Sequence, residues 1–135
     1  MRKQVGFTLI EVMVVVAILA ILASVLVPRI MDEPDKARVV KAKQDIRVLE
    51  SALDLYKLDN FNYPADLKAL VEAPADSKNW QKGGYIKNLP KDPWGTEYQY
   101  TNPGSKSEID IFSLGSDKTT GGDGYAKDIG NWPLE

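Results

Sequence analysis

Gly6-Phe7-Thr8-Leu9-Ile10-Glu11 opens an almost unbroken apolar run that continues to Val27. As a helix rising 1.5 Å per residue, residues 7–27 would reach about 30 Å, enough to cross the hydrocarbon core of a bilayer. One carboxylate, Glu11, interrupts the run. An acidic residue at the centre of a membrane helix costs about 2.5–3.5 kcal/mol, so a glutamate inside the apolar segment calls for a counter-charge or a purpose. Arg2 and Lys3 precede the run. Basic flanks stay cytoplasmic, which sends the carboxyl-terminal part of the chain to the periplasm of a bacterium with two membranes.

Two kinds of processing compete for this stretch. In an ordinary secretory signal peptide, residues 1–4 would form the basic region, with Ala20 and Ala23 near the cut. Glu11 counts against that reading, and so does Ile21, which stands where a small residue belongs. In the other reading only residues 1–6 leave as a leader and the apolar helix is kept. Glycine suits a tight protease subsite, and a cut after Gly6 would make Phe7 the new α-amino terminus, one helical turn from Glu11. The new positive charge and the stranded negative one would then neutralise each other, more readily between neighbouring chains than within one.

Gly6-Phe7-Thr8-Leu9-Ile10-Glu11, with its basic leader and apolar run, resembles the class III signal of type IV pilins and type II secretion pseudopilins. The resemblance implies cleavage after Gly6 by a prepilin peptidase, methylation of the Phe7 amine, and a docking role for Glu11 beside the amino terminus of an adjacent subunit. It also implies a pilin-like α+β fold in which a long amino-terminal helix bundles with its copies and unwinds or kinks near Pro28.

Beyond the run, Pro28 is expected to kink the helix, whereas Pro34, within Asp32-Glu33-Pro34-Asp35, suits the first turn of a fresh one. Val39, Ala42, Ile46, Leu49, Leu53 and Tyr56 then recur at three- and four-residue spacing among charged residues. This predicts an amphipathic helix over 35–59 whose apolar stripe packs on the protein's own sheet. A short helix is expected over 65–71. Residues 75–96 are rich in glycine and proline and read as an ordered loop held by Trp80, Tyr85, Leu89 and Trp94. Strands are expected over 97–101 and 108–114, the second alternating Ile109 and Ile111 with Asp110 and Phe112. One long helix on a small antiparallel sheet is an α+β arrangement. The domain plan is therefore a leader, 1–6; a transmembrane assembly helix, 7–27; and a globular periplasmic domain, 28–135.

After Ser113-Leu114-Gly115-Ser116-Asp117 comes a glycine-rich segment that ends at Asp128-Ile129-Gly130-Asn131-Trp132. Such a loop can bend until Asp117, Asp128 and backbone carbonyls surround one cation, and calcium accepts oxygen ligands in irregular geometry. Spacing alone leaves a solvated polar loop as the alternative. Asp92-Pro93-Trp94-Gly95, Phe112-Ser113-Leu114-Gly115 with Asp117, Asp128-Ile129-Gly130-Asn131-Trp132, and Leu55-Tyr56-Lys57-Leu58-Asp59-Asn60 are similar to segments of the major pseudopilins of type II secretion. That similarity implies a calcium site made by the Asp117 and Asp128 side chains with carbonyls of Leu114, Ser116 and Ile129, and with Asp123 as a further ligand.

Composition closes off other classes. Among 135 residues there is no histidine and no cysteine, and the net charge is −2. The chain therefore offers no basic patch for nucleic acid and no thiol chemistry. Its serines and lysines lack a neighbouring base, so an enzyme is not expected. The resemblance implies the repeating subunit of a periplasmic pseudopilus that promotes export of folded proteins. It would work with copies of itself, minor pseudopilins, an inner-membrane assembly platform and the prepilin peptidase. A major type IV pilin and a membrane-anchored calcium-binding domain are the alternatives.

Overall fold

The structure, a computed structural model, describes residues 6–133, and of residues 26–33 the backbone alone. The leader residues 1–5, including Arg2 and Lys3, lie outside the described residues. The chain divides into two units, Met1–Asp35 and Lys36–Glu135.

Helix α1 spans Leu9–Asn60. Its bounds include both Pro28 and Pro34, so the fresh helix expected at Pro34 is not a separate element. Each proline removes a single backbone donor, while good helix formers on both sides supply the rest of the ladder. Pro28's side chain, and with it the expected kink, lies outside the described residues. In the first unit every described side chain from Phe7 to Val25 is exposed. Among the described residues no helix is long and apolar enough to cross a membrane. The expected span, 7–27, runs at its far end into residues whose side chains are not described.

In the second unit, residues 36–60 of α1 present the expected stripe. Ala42, Ile46, Leu49, Ala52, Leu53 and Tyr56 are buried, and Val39 packs at their edge. They meet Ala69, Leu70, Tyr98, Ile109, Ile111 and Ile129 in a single core. Their 3.6-residue repeat puts them on one side of α1, and burying that side is what holds the helix to the head.

The sheet is antiparallel, in the order β1 (Gln99–Thr101), β2 (Asp110–Ser113), β3 (Ile129–Gly130). Tyr100 pairs with Ile111, and Ser113 with Ile129. Both expected strands exist but are shorter than the stretches read from sequence. The third went unread, because two residues carry no alternation. Asn131 extends it by a side-chain route: its Oδ1 accepts the Ile111 N–H at 3.1 Å and its Nδ2 donates to the Ile109 carbonyl at 2.9 Å.

Three further expectations are corrected. The short helix is a 3-10 turn, Leu67–Leu70, capped by Asp66, whose Oδ1 accepts from the Ala69 N–H. Asp110 was expected to face out, yet it is buried. Its carboxylate turns back to accept N–H groups from Ser105, Lys106 and Ser107 and the Ser105 hydroxyl. In the irregular segment Trp80 donates to the Ala69 carbonyl at 2.7 Å and Tyr85 packs on Tyr56, but Leu89 is exposed and outside the core.

Candidate functional site

Two regions carry the candidate residues, one in each unit. At the amino-terminal end Thr8 caps α1. Its carbonyl accepts the N–H groups of Glu11 and Val12 at 3.2 and 3.3 Å, and its hydroxyl oxygen accepts from the Glu11 N–H at 3.4 Å. Thr8-Leu9-Ile10-Glu11 has the spacing of a capping box with Thr8 as the N-cap, a local signal that the sequence reading missed. Glu11 also lies in the first turn, where the helix dipole favours a carboxylate. Neither effect accounts for the surroundings. Phe7, Leu9 and Ile10 are 84 %, 80 % and 71 % exposed, the start of an apolar surface that runs to Val25. Gly6 has no atom within 4 Å of where a Cβ would stand, so no contact requires glycine there.

The second region is the loop between β2 and β3. Gly115, at φ +72°, is where its two limbs touch: a Cβ there would stand 2.9 Å from the carbonyl oxygens of Ala126 and Lys127. Ser116 N–H donates to the Tyr125 carbonyl at 3.0 Å, and Asp128 N–H to the Gly121 carbonyl at 3.2 Å. The loop is thus closed by main-chain bonds, with few apolar contacts.

Within it the expected ligands are placed as follows. Asp117 is exposed, and its Oδ1 accepts the Thr119 N–H at 3.0 Å. Asp128 uses Oδ2 to accept the Gly121 N–H at 3.0 Å, while its Oδ1 is enclosed and has no hydrogen-bond partner. Asp123 precedes the 3-10 turn Gly124–Ala126 and makes no side-chain cap bond; its carbonyl accepts from the Ala126 N–H. Leu114 and Ser116 flank Gly115, and Ile129 opens β3. Among the described residues no three acidic side chains gather into a metal-binding group, so Asp117, Asp123 and Asp128 are not brought together as a trio. Any cation held here would draw on two carboxylates and main-chain oxygens, a donor set made only of oxygen.

The entry to the loop is fixed by a residue whose role sequence reasoning missed. Asp92 is buried at 4 % exposure, and its Oδ1 accepts the N–H groups of Trp94 and Thr96. Its Oδ2 accepts the Ser113 hydroxyl at 2.6 Å, and Ser113 Oγ in turn accepts the Gly115 N–H at 3.1 Å. The readable cue was Asp92-Pro93-Trp94-Gly95 as a turn in which an aspartate bonds its own following backbone.

A long helix that begins in an exposed apolar segment, and whose later residues pack on a small antiparallel sheet, is the arrangement of a pilin-like structural subunit. Residues 1–27 match the prokaryotic N-terminal methylation motif, and residues 29–132 match the family described as Type II secretion system (T2SS), protein G. The chain is 56 % identical to the type II secretion system core protein G of Vibrio cholerae, over 100 % of this chain and 96 % of that one. It is 55 % identical to the protein of the same name from Pseudomonas aeruginosa, over 97 % and 96 %. The crystal structure of the major pseudopilin from the type 2 secretion system of enterohaemorrhagic Escherichia coli is similar at a TM-score of 0.66. That similarity comes with 46 % identity and covers 77 % of this chain and 94 % of that chain. The chain belongs to the type II secretion system core protein G family, the major pseudopilins, and is a structural subunit, not an enzyme.

Proposed function

We propose that this chain is the repeating subunit of the type II secretion pseudopilus, held in the inner membrane by residues 7–27 before it polymerises into a periplasmic filament. The observation that carries the reading is the exposed apolar surface from Phe7 to Val25 with Glu11 in its first turn. A surface of that kind is stable in lipid or against copies of itself, and unstable in water. Gly6, which no contact requires, would serve the prepilin peptidase, and the freed Phe7 amine would be methylated and pair with Glu11 of an adjacent subunit. Pro28 would let the helix yield during packing. Minor pseudopilins and the assembly platform are the further partners proposed. The test is the mature amino terminus by mass spectrometry, together with fibres by electron microscopy in cells overexpressing the chain. A methylated Phe7 start and fibres are expected; a chain beginning elsewhere contradicts the reading.

The same proposal gives the β2–β3 loop a calcium ion. Support comes from Asp128 Oδ1, an enclosed carboxylate oxygen without a hydrogen-bond partner, in a loop whose other donors are oxygens. Asp117 and Asp128 would hold the ion with carbonyls of Leu114, Ser116 and Ile129. When bound, the ion neutralises the two carboxylates and ties the loop's limbs, offsetting the entropy of a glycine-rich segment. Asp117→Ala or Asp128→Ala should lower the melting temperature in calcium and remove its sensitivity to chelator. Equal melting of the unaltered chain with calcium and with chelator would contradict the site.

A further inference from the structure

The peptide that joins Leu114 to Gly115 is pinned by a hydrogen bond from outside the loop. Gly115 N–H is held by Ser113 Oγ at 3.1 Å, and that hydroxyl is itself committed to Asp92 Oδ2 at 2.6 Å. Ser113 is 0 % and Asp92 4 % exposed, so water does not compete for either bond. Asp92 cannot swing away, because its other oxygen already accepts from Trp94 and Thr96 at 3.1 and 2.8 Å. The relay is therefore rigid: turn 92–96, then Ser113, then Gly115.

A trans peptide is planar, so its N–H and its C=O point in opposite directions. Fixing Gly115 N–H toward Ser113 thereby fixes the Leu114 carbonyl away from it. Gly115 adds a second constraint. At its φ of +72° a Cβ would stand 2.9 Å from the Ala126 and Lys127 carbonyl oxygens, so the limbs of the loop lie close there and leave the peptide little room to flip.

We propose that Asp92 and Ser113 are positioning residues for the calcium loop: without touching the ion, they aim the Leu114 carbonyl that would ligate it. The inference rests on the calcium reading above. Residues that orient metal ligands from behind typically change affinity ten- to a hundredfold when altered. Asp92→Asn preserves the shape of the turn but offers Ser113 an amide donor where it needs an acceptor, and Ser113→Ala removes the link outright. Both should weaken calcium binding by about ten- to a hundredfold and shrink the rise in melting temperature that calcium produces.

The experiment is calcium titration by calorimetry on the full chain in detergent micelles, with melting curves in calcium and in chelator. The unaltered chain, Asp92→Asn, Ser113→Ala and Asp128→Asn are compared. A merely structural role for the relay would lower melting equally in both solutions and leave affinity unchanged, and that result overturns the proposal. If the unaltered chain binds calcium, Asp128→Asn does not, and both relay variants bind normally, only this inference fails. If the unaltered chain binds no calcium, the loop reading itself fails and takes the inference with it. Hydrogen exchange on the unaltered chain in chelator adds a check that needs no variant: the Gly115 amide should be protected, and exchange as fast as an open loop amide overturns the relay.

Discussion

Asp110 lies in β2 beside Ile111, on the side of the strand that alternation assigns to solvent, yet the 102–108 loop folds over it and donates four hydrogen bonds to its carboxylate. Burial pushes its pKa up, but the donors from Ser105, Lys106 and Ser107 outweigh burial and leave it below the ordinary carboxylate value. A depressed folded pKa contributes stability that is complete above the unfolded value, about 3.9, and is lost as pH falls through the folded one. Acid unfolding of the unaltered chain should therefore steepen below about pH 4, whereas Asp110→Asn should unfold more easily at neutral pH, by about 2 kcal/mol, and lose that acid dependence. Parallel pH profiles would count against the account. Gly130 is constrained in another way: a Cβ there would run into the ring of Trp132, which packs on Phe112 and beneath the Lys106 ammonium. Gly130→Ala should cost about 1–3 kcal/mol in urea unfolding and shift tryptophan emission toward that of exposed indole. An unchanged midpoint would show that the ring moves freely. Neither constraint was legible in sequence, because each depends on which segment folds over the residue, and periodicity cannot supply that.

Helix α1 was the most legible element, although the restart expected at Pro34 is not a separate element. The stripe from Ala42 to Tyr56 could be read because five positions repeat on one face, and the structure buries that face. Its continuity through Pro34 could not be read, since a proline signals the loss of one hydrogen bond and not whether the neighbouring turns compensate. β3 was hidden for the opposite reason: Ile129 and Gly130 are too few to alternate, and Asn131 continues the pairing with its side-chain amide. The energetic consequence is measurable. Leu49→Ala and Leu53→Ala, both at 0 % exposure, should each destabilise the head by about 2–5 kcal/mol, whereas Leu58→Ala, at 72 % exposure, should change stability by less than about 0.5 kcal/mol. Denaturant midpoints decide this, and a Leu58 effect as large as that of Leu49 would mean the helix packs on another face.

At the scale of the whole molecule the two units divide the work. The second unit, Lys36–Glu135, buries a core of its own and pairs most of its buried polar atoms, Asp128 Oδ1 being one exception, while Val40, Val48, Leu55, Leu58 and Phe61 stay exposed on it. In the first unit the described apolar side chains are exposed, and Glu11 sits in the first turn of α1, where the helix dipole favours a carboxylate. On the proposed function that imbalance has a purpose, since apolar amino-terminal helices left bare in one chain would become the inside of a filament. Sequence carried this part almost entirely, because a basic leader, a glycine, a phenylalanine and one acid in an apolar run form a pattern that does not depend on tertiary contacts. The central claim is that Glu11 joins copies by pairing with a neighbour's Phe7 amine. The most direct measurement is fibre yield by electron microscopy for the unaltered chain and Glu11→Gln, both shown by mass spectrometry to begin at Phe7. The account predicts that correctly trimmed Glu11→Gln stays in the membrane without fibres; fibres as abundant as those of the unaltered chain would contradict it.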